Sequence, residues 1–431
     1  EEGGSGNGAA ETKAGREKKN THNEPAKKKA KTGGGLPGEV RLIVDEMMFS
    51  PTGGCVGRRD RMSTPPEGRS LSPDCTPYAQ LTTSKLVTLW TQISEDLLST
   101  SKSLMSSRKK REISASLASV DDIRRYALKG SYAPHDKRKG GGGILALARY
   151  PHAGANAVLT AGADGVAHVV DTVSGETLAT LKEGGHTKNI TSIASLGAAS
   201  KCLTASSVDG TVRLWDVENS SCVSTIKHAG VLSIHMHPSG GFSKYLYSST
   251  PSAWCMHDLG GGSESCLVSI GNESAGGSPF TTGALHPDGL VYATGAENGV
   301  VTLWESRSQS LAGTVSAEGA PFISSIAFSE NGYHMASADA EGVKVWDLRK
   351  LSCIHTLDVP KAGSVAYDAS GLFLGVGSAT AAEVYGVKQK YENLAAFDDL
   401  PKKGAHSVVF GVDAKSIIVG ASDLRVYGCP E

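Results

Sequence analysis

One pattern limits what this chain can fold into. Seven times, an apolar run ends in a large residue at an evenly spaced position: Val170, Trp215, His257, Trp304, Trp346, Tyr385 and Tyr427. The intervals are 45, 42, 47, 42, 39 and 42 residues. In five of the seven an acid follows, as in Trp215-Asp216, Trp304-Glu305 and Trp346-Asp347. A unit this short cannot bury its own apolar faces, so repeated units must stack on one another. The second unit shows the internal order. "TSIASLG" alternates as a strand, "CLTASSVDG" is a strand and tight turn, "TVRLWD" a third strand and "CVSTIK" a fourth. Asp209-Gly210 is a strong hairpin signal, and Asp164-Gly165, Asn298-Gly299 and Glu341-Gly342 sit at related places.

This spacing matches the WD repeat of about 40–45 residues, four strands to a blade. The expected fold is all-β, a seven-bladed WD-repeat β-propeller, because closing the ring removes the free ends of the array. The spacing of His186, Asp209 and Trp215 predicts a polar network in which the imidazole caps a turn, the carboxylate accepts from it and the indole N–H ends the chain. Trp304, Asp339 and Trp346 are placed in the same network in later units. His228 and His286 are read with His186 as structural. The sixth unit has neither Trp nor turn Asp, so apolar packing alone is expected to close it. The chain stops after the third strand of its last unit. The missing fourth strand is predicted to be Tyr126–Ala133, paired beside Leu424–Tyr427.

Net charge is −1, but it is unevenly shared. Residues 1–142 carry 25 Lys+Arg against 17 Asp+Glu, and residues 143–431 carry 18 against 27. Residues 1–80, rich in Gly, Ser, Pro and Lys, read as a disordered basic arm, since too few apolar groups offset chain entropy. Two clusters in the arm, Lys18-Lys19 and Lys27, Lys28, Lys29 and Lys31, have the spacing of a bipartite nuclear import signal. Residues 81–125 read as a helical segment. Leu81, Leu86, Leu89, Trp90, Ile93, Leu97, Leu98 and Leu104 form an amphipathic stripe within 81–107, with Arg108-Lys109-Lys110-Arg111 at its C-terminal end. That stripe needs cover from the body, a partner helix or a second copy, which would make a homo-oligomer. A short helix is expected over Ser119–Arg125, N-capped by Ser119. Residues 126–431 form the propeller.

Other classes are disfavoured. No run of about 18 apolar residues spans a membrane. The chain begins Glu1-Glu2 with no Met and no leader pattern, which suggests a fragment. The eight Cys are scattered without a C-x-x-C, so no zinc site and no cofactor is expected, and buried free thiols are the preferred reading. Nucleotide-loop, nucleophile-elbow and zincin motifs are absent, and Gly140–Gly143 lacks the Lys-Ser/Thr of a phosphate loop. The arm has no interleaved aromatics, so RNA contact is expected to be indirect or weak and salt-sensitive. Trp346-Asp347-Leu348-Arg349 is similar to the docking motif of WD-repeat receptors for cullin-based ubiquitin ligases; Asp347 and Arg349 are the residues that would dock. The alternatives are a strand-end ion pair or a generic nuclear interaction propeller.

Three stretches, Leu178–Ser192, Leu285–Gly295 and Ile323–Leu351, resemble the pre-mRNA-processing factor 19 family of splicing-associated WD-repeat ubiquitin ligases. "RKKR" at 108–111 and "GGILAL" at 142–147 are similar to that family in the same order. The resemblance covers about residues 81–431. It implies a nuclear scaffold of the spliceosome-activating nineteen complex, whose propeller binds substrates and splicing proteins, and it makes 81–125 the remnant of a coiled-coil region. In that family an N-terminal U-box recruits a ubiquitin-conjugating enzyme. Residues 1–80 do not resemble a U-box, so that partner and the ligase activity are expected only if a U-box lies upstream.

Overall fold

A computed structural model describes residues 83–136, 143–197, 199–238, 244–259, 265–316, 321–401 and 404–430. The arm, its lysine clusters and most of the Gly140–Gly143 run lie outside the described residues.

The strands form seven four-stranded antiparallel sheets. Six are local meanders: blade 1 (144–181), blade 2 (192–227), blade 3 (233–271), blade 4 (280–316), blade 5 (325–357) and blade 6 (362–397). Blade 7 takes three strands from 407–428 and its outermost from Ala127–Tyr132. That early strand pairs antiparallel with the last one, Leu128 opposite Tyr427 and Tyr132 opposite Leu424, as the sequence predicts. The innermost strands touch in sequence around the ring, and blade 7 meets blade 1, so the ring is closed.

Position within a blade decides composition. A second strand lies between strands of its own sheet and between two neighbouring sheets. Ala157–Gly162, Val291–Ala296 and Phe373–Ser378 are buried at every residue. Small residues follow from that crowding: a Cβ on Gly295 would stand 2.6 Å from Ile323. Outermost strands have a free edge and alternate, as Ser221–Lys227 does. A β-bulge recurs where the third strand meets the fourth, beside Val170, Trp215, His257, Trp304, Trp346 and Tyr385. The bulge re-aims that side chain into the inter-blade core.

Among the described residues, two helices precede the ring. α1 is Thr83–Lys110 and α2 is Val120–Arg124, the latter closed by a Ser119–Asp122 capping box. Ile93 and Leu97 of α1 enter the core of blades 3 and 4 among Tyr245, Trp254 and Leu290. The part of the stripe from Leu89 to Leu97, which could have met a second copy, is therefore turned onto the chain's own propeller. Cover within the chain needs no second molecule and no association entropy. Ile123 of α2 is buried with Phe397 and Tyr427 between blades 6 and 7, and the Tyr126 hydroxyl donates to the Ala414 carbonyl.

Candidate functional site

In an antiparallel meander, the first–second and third–fourth turns share one end. The second–third turns and the inter-blade connections share the other. The propeller therefore has two faces, and its polar side chains divide between them.

The inter-blade face carries the repeat's hydrogen-bond network, complete in blade 2. The Trp215 indole donates to Thr204 Oγ1 at 2.8 Å, Thr204 meets His186 Nε2 at 2.8 Å, and His186 Nδ1 meets Asp209 Oδ2 at 2.8 Å. Asp209 also accepts from the Thr187 and Thr211 amides, which pins the tight turn. Burial lowers the His186 pKa despite Asp209. Burial pushes Asp209 the other way, but its bonds to Thr211 and His186 outweigh that and lower it. The imidazole is thus neutral beside an ionised carboxylate. Nδ1 donates to Asp209, and Nε2 accepts from the Thr204 hydroxyl. Thr204 links the indole to the imidazole, and the sequence reading missed it. Its signal was a hydroxyl residue eleven positions before the Trp, a spacing too ordinary to notice.

Elsewhere the network is partial. In blade 1, His135 meets Asp164 at 3.0 Å and Thr160 at 2.9 Å, although no Trp follows. Burial raises Asp164, but the His135 bond and charge more than offset it and hold the pKa at about 2. In blades 4 and 5, Trp304 donates to Thr294 and Trp346 to Ser337, each at 2.9 Å. Asp339 does not join the Trp346 chain. It accepts from the Glu341 and Gly342 amides and pairs with Lys344. Blade 6 corrects the expectation of purely apolar closure: Ser378 Oγ accepts from the Ala381 amide and donates to its carbonyl, doing the turn-closing work of an Asp. His286 is buried, 2.7 Å from Asp288 and 3.0 Å from the Gly332 carbonyl.

The opposite face is occupied by the helical segment. Trp90 donates to the Arg307 carbonyl at 3.2 Å, Asp96 pairs with Lys244 at 3.0 Å, and Arg111 reaches Glu330 and the Ala369 carbonyl. Farther along, Ser116 donates to Asp413. These partners lie at the turns of blades 3 to 7, so the segment forms a strap across them. Asp347 and Arg349 belong to this face. Arg349 grips Asp347 with two bonds of 3.0 and 2.7 Å and lies 4.8 Å from the Tyr333 ring centroid. The Arg349 bond, chiefly, lowers the Asp347 pKa.

The family model "WD domain, G-beta repeat" matches residues 175–216, the segment holding His186, Thr204, Asp209 and Trp215. Over 380 residues the chain is 33% identical to pre-mRNA-processing factor 19 of Oryza sativa subsp. japonica, covering 85% of this chain and 67% of the relative. The chain belongs to the pre-mRNA-processing factor 19 family. It is 34% identical to homolog 2 from Arabidopsis thaliana, covering 79% of this chain and 64% of that protein. The match to the Bos taurus factor is 32%, over 58% of this chain and 49% of the factor. The aligned part thus spans about two thirds of the plant relatives and about half of the bovine one. As a pre-mRNA-processing factor 19 family propeller, the chain presents one strapped face and one face of inter-blade loops. The second face displays Val208 and Phe322, both at least half exposed, near the networks that hold its turns rigid.

Proposed function

We propose that this chain is a nuclear scaffold and substrate-binding part of the splicing machinery, and that it docks partners on the inter-blade face. The observation that carries the docking assignment is the strap, which occupies turns of blades 3 to 7 on the other face. The relatives' name, pre-mRNA-processing factor, supports the splicing context. Fold alone would not, since propellers serve many tasks. The rigid turns, the apolar Val208 and Phe322 and the surrounding charged loops suit protein partners. Nuclear import through Lys18, Lys19, Lys27, Lys28, Lys29 and Lys31 belongs to this proposal. Ubiquitin transfer would require a U-box upstream to engage a conjugating enzyme. The cullin-receptor reading is less favoured, because the Arg349 fork is already engaged by Asp347.

The test is recovery of the chain with spliceosomes assembled on a pre-mRNA. Val208→Asp and Phe322→Asp should reduce recovery at least tenfold with an unchanged melting temperature. Full recovery of both variants, with loss in Arg349→Ala, would overturn the face assignment.

A further inference from the structure

Blade 3 departs from the repeat where the network should be. His228 occupies the inter-blade position of His186 and meets Ser248 Oγ at 2.7 Å, as His186 meets Thr204. The residue in the Trp215 position is His257. Its Nε2 stands 3.4 Å from Ser248, whereas the indoles of blades 2, 4 and 5 reach their hydroxyls at 2.8, 2.9 and 2.9 Å. Its Nδ1 is buried without a hydrogen bond. An orphaned ring nitrogen in a buried site is costly unless something else engages it.

Two thiols lie near the His257 ring. Cys255 lies two residues earlier on the same strand and so on the same face. Cys266 lies directly opposite His257 on the next strand, and the buried Cys255 and Cys266 pack together. Donor atoms of His228, Cys255 and His257 all lie within 4.8 Å of one another. A tetrahedral ion with bonds of about 2.0–2.3 Å needs donors roughly 3.3–3.8 Å apart, so they would close by about 1 Å. The other such cluster among the described residues, His135, Asp164 and His168, makes an instructive contrast. Both nitrogens of His135 are already bonded there, and His168 Nδ1 meets Thr180 at 3.1 Å. That network is complete, whereas in blade 3 the Cys266 thiol donates to the Val268 carbonyl at 3.1 Å and the Cys255 thiol to Ser269 Oγ at 3.6 Å, and His257 Nδ1 is left without a hydrogen bond.

We propose that His228, Cys255, His257 and Cys266 form a buried zinc site that takes the place of the indole network in blade 3. Two thiolates and two imidazoles suit zinc(II) and, among other ions, copper(I). Binding releases the thiol protons to solvent and changes no oxidation state. Its role is to fix the inter-blade connection at His228 to the third and fourth strands, which the Trp and turn Asp do in blade 2.

The full chain, purified under reducing conditions without chelator, should carry one zinc per molecule by elemental mass spectrometry. Cobalt(II) should replace it with the absorption of a tetrahedral thiolate complex. Cys255→Ser and Cys266→Ser should lose the metal. His257→Trp restores the indole of the other blades, so it should fold and hold no metal. Chelator should lower the melting temperature of the wild type and leave His257→Trp unaffected. The proposal fails if reduced wild type takes up no metal, if uptake survives both Cys255→Ser and His257→Trp, or if Cys255 and Cys266 prove to be disulfide-linked in the native protein. Copper in place of zinc would overturn the assignment of the ion.

Discussion

Thr204→Val is the sharpest probe of the network. Valine keeps the shape of threonine and removes only the hydroxyl. In blade 2 that hydroxyl accepts from Trp215 and meets His186, so its loss strands two groups in a buried site. Each stranded group costs about 1–3 kcal/mol, so the variant should lose about 2–6 kcal/mol. Ser337→Ala strands only the Trp346 indole among the described residues and should cost about half as much. A double-mutant cycle isolates the reason. In a Trp215→Phe background no indole remains to strand, so Thr204→Val should cost about 1–2 kcal/mol less there. Urea unfolding with an unchanged denaturant slope is the assay, supported by hydrogen exchange of blade 2 amides. A Thr204→Val loss under about 0.5 kcal/mol, or an equal loss in both backgrounds, would refute the shared-hydroxyl account.

Acid should destabilise the ring before carboxylates titrate. Burial holds the pKa of His237 at about 4, against roughly 6.5 unfolded, so the unfolded chain takes up a proton first as pH falls. Stability present above pH 6.5 should drop as pH falls towards 4, by about 2 kcal/mol at pH 5 from His237 alone. His168 and His235 act in the same direction for the same reason. A urea midpoint equal at pH 7 and pH 5 would contradict this. Leu97→Ala removes a fully buried anchor of the strap and should cost about 2–5 kcal/mol of its docking. Limited proteolysis should then cut near Lys102 while the propeller stays whole; unchanged resistance would argue against the strap. Removing residues 1–133 bares the blade 7 edge beside Leu424–Gly428. That truncation should aggregate or lose cooperative unfolding, and a soluble monomer with the melting point of the untruncated chain would count against the closure.

The sequence by itself determined the architecture. Six intervals near 42 residues, Asp-Gly turns and strand-length apolar runs are local signals, and a repeat states them seven times over. The closing strand was legible from counting, since three strands in the last unit leave one to be found. Ser119 and its helix followed from capping chemistry a few residues long. What the tertiary structure decided is everything that needs distant segments to meet. The amphipathic stripe announces that it will be buried but carries no mark of its partner; packing against Tyr245 and Leu290, some 150 to 200 residues away, settles that. Thr204 is one hydroxyl among many until the fold puts it between an indole and an imidazole. The cluster around His257 is the extreme case. Its donors come from positions 228, 255, 257 and 266, a spacing without a recognisable motif, and only antiparallel register and an inter-blade loop bring them to one face.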